Sequence, residues 1–318
     1  MLHIVKRIEK LTNLQISIAM IGFSLILVLI GSLIMWQSSN KGSSSASDDT
    51  VLTVATTIFP LADIVRNVGG DRVEVVQLLP SGASPHSYDL TPSQVAELSK
   101  SEVLFVIGHG LDDWAQEFAT SNGVDVEVVD TDINLISSED NHEDEEEDED
   151  HGNIDPHYWL TLPNGMIISR NVKDSLSTLF PEYAEEFEAN NDVYVSKLAK
   201  ADIEMRKQLN SETKQIAVFH GGWDYLARNY GFMIVAEFEE FPGKEPTPGY
   251  VADFQNEIIL NNVKTIFVEP QLSTDAIRPL ASDLGVNLVL LDPLGDTSNA
   301  PTYLELMRYN ISQIISSN

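Results

Sequence analysis

The chain has 318 residues, with 19 Lys and Arg against 49 Asp and Glu, so its formal net charge is −30. It contains no cysteine, which excludes a disulfide scaffold, a thiolate zinc site, a cysteine nucleophile and a lipid-modified cysteine. The negative field repels phosphates, so we expect no nucleic acid partner. A hydrophobic content of 43% supports folded cores.

Residues 1–37 are predicted to form a membrane anchor or a signal segment. The run from Ile16 to Trp36 is almost wholly apolar and, as a helix, would span roughly 30 Å, one hydrocarbon core. Basic residues precede this run, and the positive-inside bias places the following chain outside the cytoplasm. A cleaved signal peptide, cut near 44–46, is the alternative, but the length of the apolar run favours an uncleaved anchor. Residues 38–50 are predicted to be a flexible tether.

Strands and helices alternate in the block that follows residue 50. A capping box at Thr91-Pro92-Ser93-Gln94 opens a helix, and an amphipathic helix surrounds Trp114. Ten of the twelve residues in Glu139–Asp150 are acidic, so we expect the 139–151 insertion to be a disordered, self-repelling loop. The predicted strands of this block are Val51–Thr57, Val73–Leu79, Val103–Ile107 and Val126–Val129.

A second block of strands follows a helical segment. Helical patterns run from about Pro163 to Leu179 and again after Pro181, and a last helix covers Ala300–Ile315. Two such blocks indicate an α/β fold of two lobes with mostly parallel sheets. The predicted strands of the second block are Ile216–Phe219, Phe232–Ala236, Val263–Val268 and Val286–Leu291.

Candidate metal ligands lie where the predicted strands end. His86 follows the second strand, His220, Glu269 and Asp292 end or follow later strands, and His157 lies between the first block and the helical segment. Open α/β sheets bind ligands at the carboxyl ends of their strands. Three imidazoles and a carboxylate suit zinc or a similar divalent ion.

Each of these residues also has a plain structural interpretation. A histidine at a strand end is commonly a capped or solvent-facing residue, and His109, between two glycines, has a similar local placement. Glu269 and Asp292 precede prolines and could cap the helices that follow. The chain also lacks the compact HExxH pattern. Residue spacing alone therefore leaves both the shared metal site and the structural roles open.

Six segments together resemble, in order and spacing, the motifs of the zinc/manganese solute-binding proteins of ABC transporters. The resemblance covers the chain from about Val51 to the C-terminus, and six ordered motifs are far more specific than one. The segments are PSGASPHSYDLTPSQ (80–94), DPHYWLTLP (155–163), AVFHGGWDYLARNYGF (217–232), GKEPTPG (243–249), IFVEPQLS (266–273) and LDPLG (291–295).

The resemblance implies a definite domain organisation. It implies an N-terminal α/β lobe at 51–162, a long rigid linker helix at 163–180 and a C-terminal α/β lobe at 181–318. It also implies that one metal ion lies in the cleft between the two lobes.

The resemblance further implies which residues bind the metal. The three ligand histidines of the family fall on His86, His157 and His220. Manganese-type members commonly carry glutamate at the third of these positions, and nitrogen donors favour zinc, so we expect zinc rather than manganese. The fourth ligand is Asp292 or a water, because Pro85 stands where certain zinc binders carry an acid.

Two groups outside the ligand set also have expected roles. Glu269 falls at a position of the cleft wall, where it would hydrogen-bond a ligand rather than bind the metal. His142 and His151 lie in the acidic insertion, which zinc-type members similarly carry, and are candidates for weak accessory metal ligands, with a loop that has no metal role as the alternative.

The implied function is capture and delivery of a metal ion. We expect a monomeric extracytoplasmic binding protein, not an enzyme, that passes zinc to the permease of an ABC transporter with its ATPase subunit. It would lie at the outer face of the cytoplasmic membrane, anchored by its N-terminal helix or exported after cleavage. A metal-binding surface adhesion protein and a zinc hydrolase are the alternatives.

Overall fold

The computed structural model describes residues 51–137, 154–209, 214–239, 244 and 246–317. The described residues belong to one compact unit that begins at Val51. The predicted anchor, the tether and the acidic insertion at 139–151 lie outside the described residues, so these predictions stay predictions. Within the described ranges, no helix combines the length and the apolar character needed to cross a membrane.

The described part of the chain alternates strands and helices. In the first half these elements are β1 (Leu52–Thr56), α1 (Phe59–Gly69), β2 (Val73–Gln77), α2 (Pro92–Leu98), β3 (Val103–Val106), α3 (Asp113–Ser121) and β4 (Asp125–Val128). In the second half they are α4 (Leu162–Leu179), α5 (Ala184–Gln208), β5 (Lys214–His220), α6 (Asp224–Tyr230), β6 (Phe232–Glu239), α7 (Pro248–Leu260), β7 (Thr265–Val268), α8 (Ile277–Leu284), β8 (Asn287–Leu290) and α9 (Tyr303–Ser316). Single 3₁₀ turns lie at Gly70–Arg72, Pro85–Ser87 and Pro181–Tyr183.

Two four-stranded parallel sheets organise the molecule. The strand order is β2-β1-β3-β4 in the first sheet and β6-β5-β7-β8 in the second. Every strand pair is parallel, with Val54 between Val75 and Val103 in the first sheet and Ala217 between Ala236 and Ile266 in the second. The predicted α/β architecture is therefore confirmed.

The strand order creates one crevice in each sheet. In the first sheet, β2 lies on one side of β1, and β3 and β4 lie on the other. The second sheet is built the same way around β5, so the direction of strand addition reverses between β1 and β3 and between β5 and β7. Ligands of open α/β sheets bind at the carboxyl ends of the strands that flank such a reversal. In the second sheet, His220 is the last residue of β5 and Glu269 directly follows β7.

A continuous core runs through both halves of the described chain. Buried side chains of both sheets, of α1 and of the helices α4, α5 and α9 form one apolar cluster. A smaller cluster covers the other face of each sheet, packed by α2 and α3 in one case and by α7 and α8 in the other. Central strands that are buried on both faces read as near-continuous apolar runs, as in β3, whose residues are Val-Leu-Phe-Val.

Local sequence signals fix several helix ends. The predicted capping box is present. The Thr91 hydroxyl accepts a hydrogen bond from the backbone N–H of Gln94, and the Gln94 side-chain oxygen accepts one from the backbone N–H of Thr91. Gly231 and Gly285 end helices in the left-handed conformation, with φ of 79° and 67°. The chain passes from the first sheet to the second through α4 and the longer α5. Which segment acts as the rigid linker, and where the lobes divide, stay predictions.

Candidate metal centre

Three histidines from distant parts of the chain meet at one point. His86 lies in the 3₁₀ turn after β2, His157 in the loop before α4, and His220 at the end of β5. One ring nitrogen from each lies within 4.8 Å of the other two. The Nε2 atoms of His86 and His157 are 3.2 Å apart, and the ring centroids are separated by 5.2 to 5.7 Å.

The His86 turn is held against the first sheet. Pro85 occupies the first position of the turn, where its fixed φ is favourable. The backbone carbonyl of Pro85 accepts a hydrogen bond from Trp114 Nε1 at 3.0 Å, and the Tyr88 ring packs edge-on against the Trp114 ring. The turn therefore presents His86 from an anchored position.

A buried carboxylate orients His220. His220 Nδ1 lies 2.6 Å from Glu269 Oε1, which also accepts a hydrogen bond from Trp223 Nε1 at 2.9 Å. Because a carboxylate only accepts, the proton is assigned to Nδ1, which leaves Nε2 with a free lone pair. His220 Nε2 is buried and has no hydrogen-bond partner among the described residues. A metal ion is the partner that this atom suits best.

His157 has the same kind of support. Asp155 Oδ1 lies 2.8 Å from His157 Nδ1 and also accepts from the backbone N–H of His157 at 2.9 Å. The Nε2 atom is thereby directed at His86. The carboxylate–histidine pairs on His157 and His220 match the arrangement that orients histidine ligands in metal sites.

The His157 loop is tied to the C-terminal helix. Tyr303, at the start of α9, donates its hydroxyl to the carbonyl oxygens of Trp159 and Thr161 at 2.5 and 2.8 Å. Trp159 Nε1 donates to the carbonyl of Pro293 at 2.8 Å. These buried bonds fix the loop from both sides, so His157 is positioned by contacts that are distant in sequence.

The local electrostatics favour neutral histidine at His86. The residue keeps an exposed side, but its imidazole sits against the other two rings. Desolvation, together with the repulsion of positive charge on His157 and His220, lowers the pKa of His86 to about 2. Protons therefore do not compete with a metal ion for this nitrogen at neutral pH.

His220 responds in the opposite direction. Burial by itself would lower its pKa, but the charge and the hydrogen bond of Glu269 outweigh that effect, with smaller contributions from Asp155 and Glu237. The net result is a pKa raised above the ordinary 6.5. A proton therefore competes with a metal ion more directly at His220 than at His86.

The three rings surround a small cavity. Its volume of about 10 Å³ is that of a single water-sized probe. Gly222 is required beside it, because a Cβ atom there would lie 2.9 Å from His220 Nε2 and 3.1 Å from the His157 ring. The cavity is lined by Ser84, Pro85, His86, His157, Trp159, His220, Glu269, Gln271, Leu272, Pro293 and Leu294.

The structure brings together part of the predicted site. His86, His157 and His220 form the cluster, and Glu269 contacts His220. Asp292 is buried, with 4% of its surface exposed. Among the described residues, however, its carboxylate oxygens do not belong to the group of potential ligand atoms that the three histidines form within 4.8 Å of one another. Its ligand role and the other ligand assignments stay predictions, and His142 and His151 lie outside the described residues.

Asp292 has structural partners of its own. Its Oδ1 accepts from the backbone N–H groups of Leu294 and Gly295 and from Gln271 Nε2, each at 3.0 Å. These bonds stabilise the turn that follows β8.

Sequence reasoning missed several residues around the three histidines. Asp155, two residues before His157, and Trp223, three after His220, were both within the motifs that carry the resemblance. Their proximity to a histidine in sequence was the available signal. The contact of Gln271 with Asp292 had no such signal.

Comparisons with known proteins bear on this site. The model of the family described as zinc-uptake complex component A, periplasmic (ZnuA), matches residues 54–317. A manganese-binding lipoprotein, MntA of Halalkalibacterium halodurans, is 27% identical over 92% of this chain and 97% of its own length. The zinc-binding lipoprotein AdcA of Streptococcus pneumoniae is also 27% identical, over 92% of this chain and 60% of its own length.

Solved structures share the fold. A crystal structure of ZnuA superposes with a TM-score of 0.74 at 26% identity, covering 84% of this chain and 99% of its own. FpvC from Pseudomonas aeruginosa, in complex with Mn²⁺, gives a TM-score of 0.73 at 25% identity, covering 84% of this chain and 98% of its own. Because the family model spans most of the chain, the protein belongs to the ZnuA family of metal-binding proteins of ABC transporters, which are solute-binding proteins rather than enzymes.

Proposed function

We propose that this protein captures a zinc ion outside the cytoplasm and delivers it to the permease of an ABC transporter, which its ATPase subunit drives. The observation that carries the proposal is the cluster of three imidazoles, two of them backed by buried carboxylates. Such a set binds a borderline-soft divalent ion through neutral nitrogen. Membership of the family supplies the transporter context.

The choice of zinc over manganese rests on donor chemistry. Relatives are named for both metals, manganese for MntA and zinc for AdcA, and FpvC was solved with Mn²⁺. Imidazole nitrogen suits zinc, whereas manganese prefers carboxylate, carbonyl and water oxygen. His220 provides a third nitrogen where the resemblance expects glutamate in manganese-type members. We assign His86, His157 and His220 as ligands, with Asp292 or a water at the fourth position.

The proposed location is the outer face of the cytoplasmic membrane. Relatives in the comparison are named lipoproteins, but this chain has no cysteine to carry a lipid. The apolar run Ile16–Trp36 is the segment suited to hold the protein at the membrane. The metal-binding part would then face the outside on the tether at 38–50.

The test is metal analysis of the full chain after competition among zinc, manganese, cobalt and nickel. We expect one tightly bound zinc per chain, and His220→Ala should abolish tight binding while the protein remains folded. His109→Ala is the matched control, because His109 also pairs with a carboxylate, Asp130 at 2.9 Å, but is not in the cluster. Preferential retention of manganese, or stoichiometric zinc in His220→Ala, would refute the assignment.

A further inference from the structure

Gln271 is a polar residue of the cavity wall that the ligand set does not use. It lies in the loop after β7 and lines the cavity together with the three histidines. Its Oε1 atom is buried and lacks a hydrogen-bond partner among the described residues. An acceptor buried without a donor is costly, and most such atoms are satisfied by a ligand or an ordered water.

Asp292 sets the orientation of the Gln271 amide. Gln271 Nε2 donates to Asp292 Oδ1 at 3.0 Å. That oxygen also accepts from two backbone N–H groups, those of Leu294 and Gly295, so it acts as an acceptor. The NH₂ branch of the amide must therefore face Asp292, and the carbonyl branch is the one left without a partner.

A zinc ion held by three histidines would supply the missing donor. Zinc in proteins is four-coordinate, so three imidazoles leave one position for a water. A water on zinc is strongly polarised, which makes it a good hydrogen-bond donor. The cavity volume of about 10 Å³ is matched to a ligand of that size.

We propose that Gln271 is a positioning residue for the cargo, with Oε1 accepting a hydrogen bond from a water at the fourth coordination position of zinc. Asp292 then acts by holding the Gln271 amide and does not bind the ion itself. This inference rests on the proposed function, since it requires zinc on His86, His157 and His220. The zinc ion would then be coordinated by three neutral histidine nitrogens and one water.

The test measures two properties of the full chain. Zinc affinity is determined by competition with a chelator, and the visible absorption of the Co²⁺ form reports the number and geometry of the ligands. Gln271→Leu removes the acceptor with little change in size. The matched control is Gln77→Leu, because Gln77 is also half-buried and donates one hydrogen bond, to the carbonyl of Leu79 at 2.9 Å, but does not line the cavity. Asp292→Asn keeps an oxygen for the bonds at Oδ1 and removes the charge.

We expect Gln271→Leu to bind zinc about 10- to 100-fold more weakly, the usual effect of losing a group that supports a metal ligand. Its Co²⁺ spectrum should change, whereas Gln77→Leu should keep the wild-type affinity and spectrum. Asp292→Asn, which retains an oxygen to hold the amide, should keep the spectrum and weaken zinc binding less than Gln271→Leu does. A purely structural role of Gln271 would not alter the spectrum of the cobalt that remains bound. If Gln271→Leu does not fold, Gln271→Asn, which withdraws the oxygen by one methylene, is measured instead.

The possible results separate this inference from the proposed function. Wild-type affinity and spectrum in Gln271→Leu would overturn the role of Gln271 and leave zinc capture standing. A loss confined to Asp292→Asn would make Asp292 the direct ligand and would also overturn it. Failure of the wild-type chain to bind zinc would instead remove the proposed function itself.

Discussion

Replacing Glu269 by glutamine should weaken zinc binding while leaving the fold intact. Glu269 is 4% exposed, and its Oε1 accepts from both His220 Nδ1 and Trp223 Nε1. Glutamine has the same shape and keeps one acceptor oxygen for these two donors. The variant therefore removes the negative charge behind His220 and changes little else.

The size of the effect follows from that one contact. A hydrogen bond to a charged group contributes about 1.5–3 kcal/mol, and the 2.6 Å separation places this bond among the short, charge-assisted ones. Glutamine keeps a neutral hydrogen bond of about half that strength, so the variant loses about 0.7–1.5 kcal/mol. Since about 1.4 kcal/mol corresponds to a tenfold change in affinity, this loss predicts roughly 3- to 10-fold weaker binding of zinc.

The assay is a chelator competition with the full chain at constant pH. Glu257→Gln is the matched control, because Glu257 also accepts a side-chain bond, from Asn261 Nδ2 at 2.9 Å, but lies on the surface. In the metal-free Glu269→Gln protein, the pKa of His220 should fall, which NMR titration can follow. Equal zinc affinity in the wild type and in Glu269→Gln would refute the idea that this carboxylate supports the ligand.

Two further outcomes follow from the same geometry. Because the pKa of His220 is raised in the folded protein, the protonated His220 ring paired with Glu269 stabilises the metal-free fold. This contribution is fully present below pH 6.5 and is lost as the pH rises through the folded-state pKa of His220. Zinc needs the neutral ring, so its affinity should fall as pH drops through the same window, and titrations across that range that show no change would contradict this. Gly222→Ala places a methyl group 2.9 Å from His220 Nε2, so it should impair zinc binding more than stability, as comparing binding with thermal unfolding will show.

The fold was largely predictable because its signals are local. Runs of β-branched residues gave the strands, and Thr91, Gly231 and Gly285 gave helix ends. The helix α1 was not predicted, because its N-cap Ile58 makes no side-chain bond to the helix and the proline in its first turn, Pro60, is its main local signal. The second strand was predicted through Leu79, whereas β2 ends at Gln77, although the backbone N–H of Leu79 still bonds to the carbonyl of Thr57.

The site was predictable only in part, because its details depend on tertiary contacts. Strand ends placed histidines and carboxylates at one edge of each sheet, which sequence order can reveal. Whether a carboxylate faces the cavity depends on its other partners. Asp292 and Glu269 look alike in sequence, each at a strand end before a proline. Asp292 Oδ1 accepts hydrogen bonds from backbone N–H groups of the loop after β8, whereas Glu269 Oε1 accepts them from the His220 and Trp223 side chains.

The buried carboxylates lie behind the histidine rings, so the groups that would attract a metal ion by charge differ from the groups that would bind it directly. Asp155 and Glu269 each contact the Nδ1 atom of a histidine in the cluster, and neither is more than 9% exposed. Their charges oppose that of a divalent ion from behind the imidazoles, in a setting where little water screens them. A carboxylate in direct contact with the ion would attract it equally but would add the hard oxygen that manganese and magnesium prefer. In the proposed zinc site, three imidazole nitrogens would contact the ion while two buried carboxylates attract it from behind the rings, the combination that donor chemistry predicts for zinc over manganese.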